Sequence, residues 1–328
     1  MTSGRIDVAA HFARRSPGAA ASLALGTMNF GKRTPAAEAE RILARALELG
    51  VRVFDTANAY VDGESERILG RFAKGRREEM LIATKVGFGR VAGKPEGLAP
   101  TRILAALDES LARLGTDHVD LYYLHVPDHT VPIDESLSAM KSLLDAGRVR
   151  AFGVSNYASW QLLEIFHTCD RLGMPRPIVA QQLYNLLIRQ LDLEYARFAE
   201  KYALHTTVYN PLAGGLLTGR YRPESSVEKG SRFDKNRLYL DRYWSQPMLE
   251  SAERYRALAE AKGLSLVELA YAWLRTRGFV DSILVGPGSV AQLDDAVAAM
   301  QRELDPETCA RIEQLSREQL GTSTAYAR

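Results

Sequence analysis

Eight short runs, each rich in apolar and β-branched residues, recur along the chain, and amphipathic helical runs separate them. They are LALGTM (23–28), RVFDT (52–56), MLIATK (80–85), VDLYYLH (119–125), VRAFGVS (149–155), PIVAQQ (177–182), HTTVYN (205–210) and DSILVG (281–286). The runs are apolar on both faces, as strands are when helices cover both sides of a parallel sheet. Between them, PAAEAERILARALELG (35–50) and TRILAALDESLARLG (101–115) carry apolar residues at helical spacing, and each stops on a glycine. Most strand starts lie about 30 residues apart, with no Ser/Gly-rich linker between them. Eight such units in one domain predict a (β/α)8 barrel over residues 21–328, with 1–20 as an N-terminal extension. The interval from 211 to 280 is longer than the rest. It holds a polar loop, SSVEKGSRFDKNRLYLDRYWSQP, and two helical runs, and a long insertion after a barrel strand is usually functional.

Bulk properties exclude several partners. The net charge is +2 with Lys and Arg spread along the chain, which gives none of the clustered basic face that nucleic acid needs. No run approaches the roughly 20 apolar residues of a membrane span, and no apolar signal region opens the chain. Cys169 and Cys309 are the only cysteines and form no CxxC, so the expected compartment is reducing, namely the cytoplasm. The extension has Arg5, Arg14 and Arg15 against one acid, Asp7. A transit segment is therefore the alternative to a loosely ordered or cap-forming end.

In a barrel of this kind chemistry sits at the C-terminal ends of the strands. There the sequence places Asp55, Lys85, His125, Ser155, Asn156, Gln182 and Tyr209. Each alone has a bland reading, as a helix cap, a rim charge or a structural histidine. Strands two, three and four, however, would aim an acid, a base and an imidazole into one mouth. His125 and His129 form an HxxxH, but Val126 and Pro127 break a helix there and no Cys or third His stands nearby, so no metal is expected. There is no GxGxxG after the first strand, and AGGLLTGRY lacks the ending of a phosphate-binding P-loop.

As an ordered set, FDTANAY, VDGESERILG, ATKVG, DLYYLHVPD, GVSNY, QLYN and YNPLAGGLLTGRY resemble the aldo-keto reductases, in particular the branch of aflatoxin-aldehyde and succinic-semialdehyde reductases. The same segments are also similar to potassium-channel β subunits, which share the fold. The resemblance implies NADPH-dependent reduction of an aldehyde or ketone, with Tyr60 as proton donor, Lys85 lowering the phenol's pKa, Asp55 keeping Lys85 charged, and His125 orienting the carbonyl. A charge pair at about 4 Å is worth on the order of 4 kcal/mol at an effective dielectric near 20, enough to tune a phenol. It further implies that Ser155, Asn156 and Gln182 hold the nicotinamide carboxamide and that Tyr209 stacks on its ring. Thr27, Met28 and Asp55 would lie near the ribose, and Asn210, Pro211, Leu212, Ala213 and Gly214 along the pyrophosphate.

At the adenosine end GPGSVAQLDDAV supplies Gly286, Gly288, Gln292 and Asp295, but the asparagine common in that family is replaced by Ala296. Arg232 and Arg220 match positions that contact the 2′-phosphate or the adenosine, which favours NADPH over NADH. Phe30, Phe88, Tyr243 and Trp244 are candidate walls of an apolar substrate pocket, and Arg328 a candidate receiver of a substrate carboxylate. The rival expectation is a nucleotide-bound regulatory subunit with little turnover. A homo-oligomer stays open.

Overall fold

The computed structural model describes residues 6–16 and 18–320. Its eight parallel strands close into one barrel: β1 Ser22–Gly26, β2 Val53–Asp55, β3 Leu81–Val86, β4 Val119–Leu124, β5 Val149–Ser155, β6 Val179–Leu183, β7 His205–Tyr209 and β8 Ser282–Val285. Each strand pairs with its sequence neighbours, and β1 with β8 closes the ring. Helices cover the outside, beginning with Ala36–Glu48 and ending with Val290–Ala299 and Pro306–Leu320. The fold is the (β/α)8 barrel that the sequence predicts, and all eight expected runs are its strands.

Side chains alternate across every strand, so one set points into the barrel and the other toward the helices. The inward set includes Ala24, Val53, Leu81, Ala83, Leu121, Tyr123 and Val179, which pack as a small inner core. The outward set joins the much larger core beneath the helices. Gly153 marks the tightest place inside, since a Cβ there would stand 2.7 Å from the Tyr123 ring and 2.8 Å from Val179.

The floor of the barrel is closed by the N-terminal segment. A short helix, Val8–His11, brings Val8 and Phe12 into the inner core, and the Phe12 ring meets His205 edge-on at 5.2 Å. Arg14 and the Arg15 amide bind the buried Asp281 carboxylate at 3.3 and 3.0 Å, which fixes the segment beside β8.

Two features at the mouth were not read from the sequence. After β3 a small hairpin pairs Arg90–Val91 with Lys94–Pro95. In the long insertion after β7, the helix Arg237–Tyr243 precedes the two expected ones, Gln246–Ala261 and Leu266–Thr276. The first is too short for periodicity to reveal it.

Candidate active site

Three adjacent strands deliver the polar cluster. Asp55 ends β2, Lys85 is the fifth residue of β3, and His125 follows β4; all three occupy inward positions and are buried. The Lys85 ammonium donates to the Asp55 carboxylate and, at 2.8 Å, to the Thr56 carbonyl. The second Asp55 oxygen accepts from Gln181 Nε2 at 2.9 Å. Tyr60 begins a short 3-10 turn, Tyr60–Gly63, which folds it back over the mouth. Its ring centroid is 5.3 Å from Lys85 Nζ, and its edge faces His125 at 5.9 Å. The turn that presents it is strained, because the β-branched Val61 sits at φ 50° and Asp62 at φ 51°. Such left-handed non-glycine residues cost on the order of 1–3 kcal/mol and persist where surrounding structure fixes them.

Burial and charge set the protonation states. Burial pulls the Lys85 ammonium below its ordinary 10.5, while Asp55 opposes the loss of its proton. Burial, reinforced by Lys85, lowers His125 well below 6.5, so the imidazole is neutral at pH 7, and its Nδ1 is buried without a partner. Tyr60 departs from expectation. Burial and then Asp55 push its phenol well above 10, where the sequence suggested that Lys85 would lower it. The reason is that the lysine's charge is offset by the carboxylate it binds, while protein packs densely around the ring even though the ring keeps some surface toward the mouth.

The strand ends beyond the cluster are also polar. Asn156, at φ 66°, donates to the His125 carbonyl and to Ser155 Oγ, both at 3.0 Å, and accepts from the Tyr209 hydroxyl at 2.6 Å. Left-handed residues Asn210, Ala213, Gly214 and Gly215 bend the chain after β7 into a cradle. A Cβ on Gly214 would stand 2.8 Å from the Tyr239 ring, and the Asn210 side-chain nitrogen is buried without a partner. Pro211 is buried and Leu212 half-buried along the same stretch. Arg232 lies over the Tyr239 ring at 5.0 Å and reaches Met28 Sδ at 3.8 Å. Arg220 is exposed, 3.7 Å from Glu228. At the end of β8 Gly286 is exposed, and a Cβ there would lie 3.8 Å from the Gly26 carbonyl; Gln292 caps the Gly288 amide at 2.8 Å, and Asp295 is exposed.

Some expected residues lie elsewhere. Gln182 is an outward residue of β6 that donates to the Tyr157 carbonyl at 2.7 Å; the glutamine facing the cluster is Gln181. Thr27 also points away, and its hydroxyl is held by Ser65 at 2.6 Å and the Asp55 carbonyl at 3.1 Å. Of the proposed apolar walls, Phe30 and Tyr243 are fully buried in the main core and line no open surface. Trp244 is half-buried and packs on Phe233 at 4.8 Å and Tyr221 at 5.1 Å, an aromatic cluster that shapes the long insertion. Phe88 alone is exposed, at 49%, with its ring 5.1 Å from that of His125. Arg328 lies outside the described residues.

A family model described as the Aldo/keto reductase family matches residues 22–317. The chain belongs to the aldo-keto reductases. Among similar proteins, an aflatoxin B1 aldehyde reductase member 2 of Rattus norvegicus is 37% identical over 296 residues, covering 84% of this chain and 79% of the relative. The human protein of that name is 35% identical, covering 88% and 84%. A probable voltage-gated potassium channel subunit beta of Oryza sativa subsp. japonica is 31% identical, covering 87% and 89%. As an aldo-keto reductase, this protein is an oxidoreductase acting on carbonyl groups.

Three site neighbours escaped the sequence reading of this aldo-keto reductase. Gln181 follows the same inward parity as Asp55 and Lys85, so counting alternation from Val179 would have found it. Arg33 donates to the Ser231 carbonyl at 3.1 Å, and its pKa is lowered by burial and by Arg232, which places a second guanidinium beside the first. Glu96 joins the hairpin to Asn58 at 2.6 Å. Neither Arg33 nor Glu96 carries a local signal, because both act through chain segments distant in sequence.

Proposed function

We propose that this aldo-keto reductase reduces an aldehyde or ketone to an alcohol with NADPH, and that Tyr60 supplies the proton. The observation that carries the reading is the closeness of Tyr60, Lys85 and His125, one buried ammonium lying between a carboxylate and a phenol ring. The nicotinamide, when bound, supplies the hydride.

The chain's own groups account for the remainder. Reduction leaves an alkoxide that needs a proton; the Tyr60 phenol, which burial holds well above 10, carries one at neutral pH, and an alkoxide is a strong enough base to take it. His125, neutral and with a buried nitrogen unpartnered, orients the carbonyl by hydrogen bond and stabilises charge developing on its oxygen. Lys85, its charge partly offset by Asp55, stands behind Tyr60 and opposes part of the cost that burial imposes on the phenolate left after donation. Asp55 binds the Lys85 ammonium, and Gln181 holds the Asp55 carboxylate in place.

The residues present fit a dinucleotide. The left-handed residues Asn210, Ala213, Gly214 and Gly215 bend the main chain into a form that allows close approach, as a pyrophosphate requires. Asn156 and Ser155 sit beside His125 at the carboxamide's expected place, and Tyr209 lies next to them. Arg232, with Arg33 beside it, provides guanidinium groups suited to a 2′-phosphate. The relatives named for an aldehyde substrate support an aldehyde here too.

NADPH oxidation measured on a panel of aldehydes and ketones tests the reading. Turnover on several, lost in Tyr60→Phe, is the expected result. Negligible turnover on all of them, with NADPH nonetheless bound, would support a regulatory subunit like the channel-associated relatives.

A further inference from the structure

The hairpin after β3 plays no part in the chemistry above, yet it reaches the centre of the site. Its first arm carries Phe88, half exposed over His125. An exposed aromatic ring on a loop is normally free to swing; here the backbone on both sides of it is tied down. Glu96, on the returning arm and only 9% exposed, accepts from the amides of Gly87 at 2.8 Å and Gly89 at 3.3 Å through one carboxylate oxygen. Its other oxygen accepts from Asn58 Nδ2 at 2.6 Å and from Arg102 Nε at 3.1 Å. Arg102 is itself held by a two-pronged bond to Glu109 at 2.9 and 2.8 Å.

Asn58 is the informative partner. It stands two residues before Tyr60, and its own amide binds the Lys85 carbonyl at 3.2 Å. A single carboxylate therefore ties the segment bearing the proton donor to the arm bearing Phe88. Only an ionised carboxyl offers acceptor sites for four donors at once. The surroundings add stiffness: Asp128 takes the Leu98 amide at 2.8 Å, and Gly87, at φ +109°, has no space for a Cβ, which would lie 2.6 Å from Leu98. Gly89 is close to the donor segment as well, since a Cβ there would lie 3.3 Å from that of Ala59.

We propose that Glu96 is a positioning residue of the carbonyl site, fixing Phe88 relative to Tyr60 and His125 as a wall against which a flat apolar group next to the carbonyl packs. This inference rests on the carbonyl-reduction reading. It makes substrate preference a property of the hairpin's anchorage as well as of Phe88 itself, because an untethered ring would gain freedom that binding must remove.

Steady-state kinetics with benzaldehyde and propanal test it, using the full chain and NADPH. Phe88→Ala should raise KM for benzaldehyde about five- to tenfold, the range of one aromatic contact, and raise KM for propanal by clearly less, so that the benzaldehyde-to-propanal KM ratio increases. Glu96→Gln should move the benzaldehyde-to-propanal KM ratio the same way, and the double variant should be no worse than the worse single one, since both act through one contact. Glu96→Asp, which keeps the charge but retracts it, is the milder variant should Glu96→Gln not fold, with the same expected direction. An active enzyme whose KM ratio is unmoved by Phe88→Ala, or whose Glu96 variants lose only thermal stability, overturns the inference alone. Wild-type inactivity on these two and on the wider panel of aldehydes and ketones overturns the carbonyl-reduction reading and the inference with it.

Discussion

Lys85 Nζ lies 5.3 Å from the centroid of the Tyr60 ring, yet its hydrogen bonds run to the Asp55 carboxylate and the Thr56 carbonyl. The ammonium is thus already neutralised on one side before a substrate arrives. That explains why the phenol stays protonated: burial and Asp55 raise its pKa. Asp55 thus acts on both neighbours: it opposes the loss of the lysine's proton that burial promotes, and it helps to raise the phenol's pKa.

Tyr60→Phe removes the proposed donor while keeping the ring beside Lys85 and His125. Acid catalysis by a positioned group contributes about 10²- to 10⁴-fold, so kcat for reduction should fall by that factor. NADPH affinity, followed by quenching of protein fluorescence, should change little. A kcat within a few-fold of wild type would remove Tyr60 from the chemistry.

The pH profile of reduction follows from the directions of the shifts. His125 is lowered well below 6.5 and so does not titrate between pH 6 and 8, and Tyr60, raised above 10, keeps its proton throughout. Lys85, lowered from 10.5 by burial, loses its charge first as pH rises. The rate should be flat through neutrality and fall on an alkaline limb lying below 10.5. In Lys85→Arg, where the charge persists, the rate at neutral pH should drop because the geometry differs, and that limb should vanish. A limb centred near 6.5 in the wild type would contradict the neutral imidazole.

Arg232 rests on Tyr239 beside Arg33, so its guanidinium is pre-placed. Loss of a charge-assisted contact to phosphate is worth roughly 1.5–3 kcal/mol, about 10- to 100-fold in Kd. Arg232→Ala should weaken NADPH by that factor and NADH by much less, as read by titration calorimetry. Equal losses for both would dismiss the phosphate contact.

How much of this was legible in the sequence depends on the kind of signal. Spacing and apolar patterning located every barrel strand, and with them Asp55, Lys85 and His125, because a polar residue closing an apolar run stands out. Parity was not followed far enough: Gln181 and Gln182 are adjacent, and only counting inward positions shows which faces Asp55. The aromatic residues were misjudged for another reason. Loop position suggested that Phe30 and Tyr243 wall a pocket, but both are consumed by the core that holds the loops in place. The hairpin and its Glu96 tether have no periodicity at all, since two-residue strands and contacts between distant segments leave no local pattern.

The barrel floor provides a prediction about stability. His205, 2% exposed, lies between the Phe12 ring, the Ala13 carbonyl 3.2 Å from Nδ1, and Ser282 Oγ 2.8 Å from Nε2, with Asp281, His11 and Arg14 the charged or titratable groups around it. Burial lowers its pKa from 6.5 to about 4, with Asp281 opposing and His11 and Arg14 assisting. Between those values the unfolded chain binds a proton that the folded one refuses, so stability rises with pH across the window and is lost as pH falls through it. Over two pH units the loss is about 2–3 kcal/mol. His205→Gln should be less stable than wild type at pH 7, through lost packing against Phe12, but the gap should narrow by about 2 kcal/mol at pH 4.5, because only the wild type carries this proton-linked penalty. Urea unfolding of both proteins at the two pH values measures the gap. A gap independent of pH would mean that His205 takes up its proton equally in the folded and unfolded chain, and that the Phe12 plug admits a charged imidazole beneath the barrel.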